Sequence, residues 1–285
     1  MNPEFNDLRR LAADIRIRTI RSMEKFGAGH IGGCMSIADI LAVLYGRVLR
    51  YKAGEPNWED RDRLVLSKGH CGPAQYSALA LSGFFPLDWL DTLNQGGTRL
   101  PSHCDRNKTP GVDATTGSLG QGISVACGLA QGAVMKGQSH LTYAIVGDGE
   151  LQEGQVWEAA QFAANQKLDR LIMLIDVNGK QLDGPTIGKE IDIAAKFESF
   201  GCQVYSVNGH DVGATAVLLE QICQRGGKGK PIVVLLQTVK GCGYIFAEEK
   251  EMNHHMPISA QDADRAVDEI ERRLAAGLLP GGEKA

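Results

Sequence analysis

Short apolar runs alternate with amphipathic segments through the second half of the sequence, and this alternation limits the possible folds more than any other feature. Apolar runs typical of strands cover residues 141–146, 170–176, 203–207 and 231–237, and helical periodicity covers residues 153–165 and 212–224. Alternating strands and helices are typical of βαβ units, in which helices cover both faces of a parallel sheet. The predicted fold is therefore α/β, with a doubly wound, mostly parallel sheet flanked by helices.

The rest of the sequence extends this pattern with further helices and with loops rich in glycine. Helices are predicted at residues 6–25, 37–49 and 119–135, a short strand and a helix at residues 61–83, and glycine-rich loops at residues 27–36 and 96–122. A last helix is predicted from the capping-box sequence at residues 259–262 to about residue 276. The sequence contains no internal repeat and no low-complexity linker, so we predict a single domain over residues 1–285.

The composition argues against several classes of protein. Of the 285 residues, 43% are hydrophobic and 22% are charged, which is ordinary for a globular protein. The net charge of −4 argues against nucleic-acid binding, which needs a basic face. The basic residues near the N-terminus are predicted to form a solvated helix face, and they are Arg9, Arg10, Arg16, Arg18 and Arg21. Because no apolar stretch has the length of a membrane span or the form of a signal peptide, we expect a cytoplasmic protein without membrane contact.

The seven cysteines do not predict a disulfide framework or a zinc site. Their number is odd and no C-x-x-C pair occurs, so zinc-site spacing is absent. Most are predicted to be small buried residues in a reducing compartment. Cys71 and Cys104 each follow a histidine directly. A redox role is conceivable for these two, but packing is the favoured interpretation.

An acidic residue flanked by glycines ends the first regular strand of the second half. Asp148 lies between Gly147 and Gly149, and Asn178 follows the next strand 30 residues later, which is the length of one βαβ unit. Ligands of parallel sheets bind at the carboxyl ends of the strands, so both side chains are expected at one crevice. Magnesium uses one or two such oxygen ligands together with water and phosphate oxygens. We therefore predict a Mg²⁺–diphosphate site, although a helix cap at Asp148 and a turn at Asn178 are the structural alternative.

These residues belong to a segment that resembles the thiamine-diphosphate motif, GDG followed about thirty residues later by asparagine. The whole chain is similar to the N-terminal half of a transketolase, and the matching segments are GAGHIGG, SKGHCGPAQYSAL, LPSHCDRNKTPGVDATTGSLGQG and NHHMPIS, in the order expected of that family. The resemblance implies a thiamine-diphosphate-binding fold and an enzyme that transfers a two-carbon ketol unit from a ketose phosphate to an aldose or aldose phosphate. The implied cofactors are thiamine diphosphate and Mg²⁺.

The resemblance also implies a role for individual residues of the cofactor site. Asp148 and Asn178 would ligate Mg²⁺ through their side chains, and Lys180 would ligate it through the backbone carbonyl. The residues that would contact the cofactor are His70, Gly117, Leu119, Gly149, Glu153 and His254. Among these, Glu153 matches an acid that lies in a carboxylate network between subunits of the family.

Histidines are the predicted catalytic residues. Each step of ketol transfer moves a proton on a sugar hydroxyl, and the ordinary histidine pKa of about 6.5 suits that task near neutral pH. The resemblance assigns this role to His30, His103 and His254. His255 stays an alternative to His254, although the spacing to the following proline favours His254. His140 and His210 are predicted to be structural.

The resemblance covers only half of the enzyme family's full chain. A full-length transketolase has more than twice this length, and its second half supplies the pyrimidine-binding domain with the glutamate that drives cofactor activation. It also supplies arginines that grip the sugar phosphate. The chain is therefore expected to be the diphosphate-binding subunit of a split transketolase that acts on sugar phosphates. A transketolase C-terminal subunit would be the partner, in an expected α₂β₂ heterotetramer.

Three alternatives stay open at this point. The chain could be the α subunit of another split thiamine-diphosphate enzyme, such as a 2-oxo-acid dehydrogenase. It could be related to 1-deoxyxylulose-5-phosphate synthase, whose N-terminal half is similar. It could also be a non-catalytic module that binds thiamine diphosphate. The histidines of GAGHIGG and LPSHCD favour sugar chemistry over decarboxylation.

Overall fold

The structure is a computed structural model, and it describes residues 3–182, 184–187 and 192–281. Its strands are β1 (Ala28–Gly29), β2 (Arg63–Leu66), β3 (Thr142–Gly147), β4 (Leu171–Val177), β5 (Lys180–Gln181), β6 (Gly184–Pro185), β7 (Gln203–Asn208), β8 (Ile232–Gln237) and β9 (Met256–Pro257). Its helices are α1 (Asn6–Phe26), α2 (Ile31–Ser36), α3 (Ala38–Val43), α4 (Gly72–Leu81), α5 (Gln121–Met135), α6 (Gly154–Asn165), α7 (Ile193–Ser199), α8 (Val212–Arg225), α9 (Ile245–Glu248) and α10 (Ala260–Ala275).

A five-stranded sheet forms the centre of the fold. The strand order is β2-β3-β4-β8-β7, and every neighbouring pair is parallel. In the register of β3 with β4, Gly147 lies opposite Asp176. The segments that follow these two strands, including Asp148 and Asn178, therefore leave the sheet at the same carboxyl edge. The prediction of a parallel α/β sheet is confirmed.

Helices cover both faces of this sheet. Successive side chains of each strand point to opposite faces, so neighbouring residues of one strand pack against different helices. Ile145 and Ile172 pack with the helices α1, α3, α4, α8 and α10 on one face. Val146 and Met173, one residue further along each strand, pack with α5, α6 and α7 on the other face. Burial on both faces explains why these strands are continuous apolar runs rather than alternating ones.

The glycine-rich segment 27–36 was expected to be a loop, and this prediction is wrong, because α2 occupies most of it. The glycines allow close packing of this short helix. A Cβ atom at Gly33 would lie 2.7 Å from the sulfur of Cys71, and one at Gly32 would collide with the backbone carbonyl of Asn253. The helix predicted at residues 37–49 also differs, because α3 ends at Val43 and a π-helical turn continues to Val48.

The expectation of a solvated arginine face on α1 is wrong for Arg16. This side chain is buried, and its guanidinium group pairs with the buried carboxylate of Asp39, with 3.0 Å between Nη1 and Oδ1. Its Nε also donates to the carbonyl of Cys242 at 3.0 Å. Arg16 therefore connects α1 to α3 and to the segment that follows β8.

Other predictions about the chain have separate outcomes. All seven cysteines are free, and only Cys223 is not fully buried, as the sequence predicted for most of them. No helix in the described ranges combines the length and the apolarity that a bilayer crossing requires. The single domain over residues 1–285 stays a prediction, and residues 1–2 and 282–285 of it lie outside the described part of the chain.

Candidate active site

One cleft at the carboxyl edge of the sheet brings together every residue that the sequence predicted for the site. Its volume is about 390 Å³. The predicted residues that line it are His30, His70, His103, Gly117, Leu119, Asp148, Gly149, Glu153, Asn178, Lys180 and His254. These residues come from separate segments of the chain, so only the fold places them together.

Asp148 is a buried carboxylate without an ion-pair partner among the described residues. Its oxygens accept hydrogen bonds from two backbone groups, Gly149 N–H at 2.8 Å and Gly179 N–H at 2.5 Å. Burial, together with the negative charge of Asp176, raises the pKa of Asp148 to about 6. A bound cation would relieve both effects, so this carboxylate fits the role of a metal ligand.

Asn178 and Lys180 supply the other two oxygens of the predicted metal site. The side-chain amide of Asn178 donates from Nδ2 to Asp176 at 2.9 Å, and its Oδ1 accepts from the backbone N–H of Lys180 at 3.1 Å. The Asp176 bond fixes which end of the amide is the oxygen. A carboxylate, an amide oxygen and a backbone carbonyl form the hard donor set that suits Mg²⁺.

Asp176, which the sequence analysis missed, anchors the floor of the cleft. The carboxylate is fully buried and accepts four hydrogen bonds, from Ser36 Oγ at 2.7 Å, Lys68 Nζ at 2.5 Å, Asn178 Nδ2 at 2.9 Å and Thr238 Oγ1 at 2.5 Å. Burial alone would raise its pKa, but the charge and hydrogen bond of Lys68 lower it. An acid inside the apolar run of β4 was the signal in the sequence that could have identified this residue.

Two buried lysines, also missed, bring positive charge to the cleft. Lys68 pairs with Asp176, and this carboxylate raises the lysine pKa despite burial. Lys240 donates from Nζ to the carbonyl of Gln181 at 2.9 Å, to that of Lys180 at 3.3 Å and to His254 Nδ1 at 3.2 Å. Burial and the charge of Lys68 lower the pKa of Lys240 to about 8. Two cations beside the Asp148 carboxylate suit a metal-bound diphosphate.

The histidines of the cleft form a cluster around His30. The ring centroid of His30 lies 5.5 Å from those of His70 and His103, 5.2 Å from that of His254 and 4.8 Å from that of His255. His254 lines the cleft and is half-buried, whereas His255 is exposed and does not line it. The structure thus places both candidate histidines beside His30, with His254 on the cleft side.

Burial keeps the central rings of this cluster uncharged. Burial, together with the neighbouring rings, lowers the pKa of His30 from the ordinary 6.5 to about 4. Burial and the charges of His70 and Lys240 lower the pKa of His254 to about 2, and burial lowers that of His103. A neutral imidazole has one nitrogen that donates and one that accepts, so these rings can form hydrogen bonds with hydroxyl groups in either direction.

Glu150 holds the loop that contains Gly117 and Leu119 against the sheet. This buried carboxylate accepts from Ser67 Oγ at 2.5 Å, from Gly120 N–H at 2.8 Å and from Gly147 N–H at 3.1 Å, and burial raises its pKa. Glu153, three residues later, is exposed at the rim of the cleft, next to Gly120. The two acids of this segment thus differ, because Glu150 fixes the loop and Glu153 faces outward.

Comparison with known families and proteins identifies relatives over most of the chain. The family model described as "Transketolase, thiamine diphosphate binding domain" matches residues 8–273. The 6-deoxy-6-sulfo-D-fructose transketolase subunit SqwG of Clostridium sp. (strain MSTE9) is 46% identical over 279 residues, covering 96% of this chain and 100% of that protein. One subunit of the apulose-4-phosphate transketolase of Actinobacillus succinogenes is 38% identical over 278 residues, covering 95% of this chain and 99% of that protein.

Longer relatives match over less than half of their own length. Human transketolase is 37% identical over 268 residues, which cover 92% of this chain and 42% of that enzyme. The solved structure of transketolase from Campylobacter jejuni superposes with a TM-score of 0.86 at 30% identity, covering 98% of this chain and 44% of that one. The Leishmania mexicana transketolase gives a TM-score of 0.85 at 32% identity, covering 97% and 42%.

Proposed function

This chain belongs to the transketolase family, in its thiamine-diphosphate-binding part, and from that premise we propose that it is the diphosphate-binding subunit of a split transketolase. The observation that carries the proposal is the cleft itself. It joins the oxygen donors of Asp148, Asn178 and Lys180 with two buried lysines and four histidines in one space of about 390 Å³. The enzyme transfers a two-carbon ketol unit from a ketose phosphate to an aldose or aldose phosphate.

One end of the cleft would hold Mg²⁺ together with the cofactor diphosphate. Asp148, Asn178 and the carbonyl of Lys180 would be the protein ligands, and their oxygen donors support this assignment. Because Lys240 donates to that carbonyl at 3.3 Å, the ammonium group and the metal would share one carbonyl oxygen, which has two lone pairs. Asp176 fixes the Asn178 amide and thereby presents Oδ1 for coordination.

The middle of the cleft would hold the rest of the cofactor. Gly149, His70 and Lys240 would contact the diphosphate oxygens, and Gly117 and Leu119 would line the ring system. A cation is the expected partner of a diphosphate, and Lys240 lines the cleft without an ion-pair partner among the described residues, whereas Lys68 is paired with Asp176. When bound, thiamine diphosphate supplies the nucleophilic carbon and the electron sink of the reaction, while the protein supplies position and electrostatics.

Proton transfer belongs to His30, His103 and His254. Burial lowers the pKa of all three rings, so they are neutral at neutral pH and can exchange hydrogen bonds with the hydroxyl groups of a substrate. The spacing of 5.2 Å between the ring centroids of His30 and His254 lets them contact neighbouring hydroxyls of one sugar. These histidines hold and move protons at the hydroxyl oxygens next to the bond that breaks.

A C-terminal transketolase subunit completes the active site. Two relatives named as transketolase subunits match this chain over 99% and 100% of their length, whereas a single-chain transketolase matches over 42% of its own. The second half of the enzyme is then a separate polypeptide, in a cytoplasmic α₂β₂ assembly. Glu153 at the rim of the cleft is the residue of this set that faces the partner subunit.

A reconstitution assay tests the proposal. The chain, a C-terminal partner subunit, and their mixture are each incubated with Mg²⁺, thiamine diphosphate, an aldose phosphate acceptor and a donor panel. The panel contains fructose 6-phosphate, 6-deoxy-6-sulfofructose and pyruvate. We expect ketol transfer from a ketose only in the mixture, and none when Asp148→Ala replaces the natural chain. Full turnover by the chain alone, or reaction with pyruvate instead of a ketose, would overturn the proposal.

A further inference from the structure

The segment that follows β8 is fastened to the fold at four consecutive residues, and we refer to residues 238–241 as the lysine strap. Its bonds reach four different parts of the chain, namely Thr238 Oγ1 to Asp176 Oδ1 at 2.5 Å, Val239 N–H to His210 Nε2 at 2.9 Å, Asn253 Nδ2 to the carbonyl of Lys240 at 2.9 Å, and Gly241 N–H to the carbonyl of Gly32 at 2.9 Å. The strap therefore has a fixed backbone position.

Lys240 is the charged residue of the lysine strap, and its side chain reaches into the cleft. Nζ donates to the carbonyls of Lys180 and Gln181 and to His254. These partners lie on the metal side and the histidine side of the cleft, so the ammonium group sits between the two. Because the side chain is buried, its reach depends on where the strap backbone lies.

His210 contacts the backbone of the lysine strap from outside the cleft, at Val239. The ring does not line the cleft, and its Nδ1 lies 2.8 Å from Asp39 Oδ2, within a buried cluster that also contains Arg16. Against the effect of burial, the Asp39 carboxylate raises the pKa of His210. The Val239 N–H is directed at Nε2, and a protonated Nε2 could not accept it, so the structure holds the neutral ring with its proton on Nδ1, facing Asp39. The hydrogen bond from Val239 therefore opposes protonation of Nε2.

We propose that His210 is a positioning residue, which places Lys240 in the cleft by accepting the hydrogen bond of Val239. Asp39, which is ion-paired with Arg16, accepts a hydrogen bond from Nδ1 and thereby fixes the orientation and the tautomer of the His210 ring. The proposal rests on the proposed function for its effect on the cofactor, since Lys240 is then the cation that contacts the diphosphate. The placement of the ammonium group itself does not depend on that function.

Two matched variants separate the two ring contacts. In His210→Gln, the terminal amide oxygen takes the place of Nε2 and can accept the Val239 N–H, while the Asp39 contact is lost. In His210→Asn, the amide takes the place of Nδ1 and can donate to Asp39, while the Val239 contact is lost. Each variant loses one hydrogen bond, and a purely structural role predicts the larger damage in His210→Gln, because that variant loses the charge-assisted bond to the buried carboxylate of Asp39.

The first readout is the reactivity of the Lys240 amine toward limiting acetic anhydride, measured by peptide mass spectrometry on the chain without cofactor. We expect His210→Asn to raise the acetylation rate of Lys240 at least fivefold, and His210→Gln to leave it within twofold of the natural protein. Acetylation of the exposed Lys25 is the internal control and should not change. Equal rates in both variants would overturn the proposal. If His210→Asn does not fold, loss of Lys240 protection in His210→Gln would overturn it equally.

The second readout is the dissociation constant of thiamine diphosphate with Mg²⁺, measured with the partner subunit present. We expect about a tenfold increase in His210→Asn and less than a twofold increase in His210→Gln. Equal increases in both would contradict positioning through Val239. If the natural protein binds no thiamine diphosphate, the proposed function fails, whereas the acetylation result still decides the role of His210.

Discussion

Asp148 and Asp176 are both buried carboxylates at the carboxyl edge of the sheet, and they differ in what surrounds them. Asp176 accepts four side-chain hydrogen bonds and pairs with Lys68, which lowers its pKa. Asp148 accepts only backbone N–H groups among the described residues, and burial raises its pKa. A carboxylate with an ion-pair partner and four hydrogen bonds stabilises the fold, whereas a carboxylate without an ion-pair partner can bind a ligand. We therefore assign a structural role to Asp176 and a role in cofactor binding to Asp148.

The two buried lysines of the cleft differ in the same way. Lys68 has the carboxylate of Asp176 at 2.5 Å, whereas Lys240 donates to two carbonyls and an imidazole. Burial lowers the pKa of Lys240, while the ion pair raises that of Lys68. The ion pair thus forms the floor of the cleft, and Asp148 and Lys240 are buried charges of the cleft without an ion-pair partner among the described residues.

The largest expected effect is on the free energy of unfolding, and it tests the structural role of Asp176. Asp176→Ala leaves the buried ammonium group of Lys68 without its partner, and breaking a buried ion pair in this way costs about 3–5 kcal/mol. Asp148→Ala removes a desolvated charge but leaves the N–H groups of Gly149 and Gly179 without their acceptor, so it should cost less, about 1–2 kcal/mol. Urea unfolding followed by circular dichroism measures both variants. A smaller loss for Asp176→Ala than for Asp148→Ala would reverse the assignment of the two acids.

The next largest effect is on the affinity for the cofactor, and it tests the proposed role of Asp148 as a metal ligand. Asp148→Ala should weaken Mg²⁺-dependent binding of thiamine diphosphate at least a hundredfold, which corresponds to about 2.7 kcal/mol. The reason is the loss of the single charged metal ligand of the proposed site. Calorimetry with and without Mg²⁺ gives the affinity, and circular dichroism confirms the fold. Retention of natural affinity in this variant would remove Asp148 from the site.

Lys240→Met gives a third and smaller effect. Removal of a buried, unpaired cation should leave the free energy of unfolding unchanged or slightly increased, because methionine fills much of the same volume without a desolvation cost. The affinity for thiamine diphosphate should fall about tenfold, or about 1.4 kcal/mol, because one charged contact is lost. Lys68→Met is the matched control and should lose stability. Equal destabilisation by both substitutions would contradict the distinction between paired and unpaired lysines.

The smallest effect is a change in the pH dependence of stability. His30 has an ordinary pKa of 6.5, lowered by burial to about 4 in the folded chain. The unfolded chain therefore binds a proton at this residue between pH 6.5 and 4 that the folded chain does not, so stability falls as the pH falls through this window. His30→Asn should flatten this decline in urea unfolding measured from about pH 7 to about pH 4. An unchanged slope would show that His30 titrates normally.

The sequence indicated the residues that are predicted to bind the metal, Asp148 and Asn178. It did not indicate the buried residues that surround them. Glycines on both sides of Asp148 and a spacing of 30 residues to Asn178 are local signals, and they suffice because consecutive parallel strands end at one edge. Asp176 and Thr238 meet only because β8 pairs with β4, and alternating strands do not reveal their order in the sheet. Lys240 belongs to the same long-range contact, so no motif could assign it.

Local patterns also failed where tertiary packing overrode them. The glycines at residues 27–36 favour a loop by composition, but Gly32 and Gly33 form a short helix whose close packing tolerates no side chain. Arg16 belongs to a polar helical pattern, yet the distant Asp39 draws it into the interior. In contrast, β3, β4 and β8 were predicted to within about one residue at each end, because burial on both faces makes them continuous apolar runs.

We propose that this chain supplies one half of a thiamine-diphosphate site and that a second subunit supplies the other half. The decisive experiment is a calorimetric titration of thiamine diphosphate with Mg²⁺, first into this chain alone and then into its mixture with a C-terminal transketolase subunit. We expect weak binding by the chain alone and binding at least a hundredfold tighter in the mixture. Tight binding by the chain alone, unchanged by the partner, would contradict the claim and indicate a self-sufficient binding site.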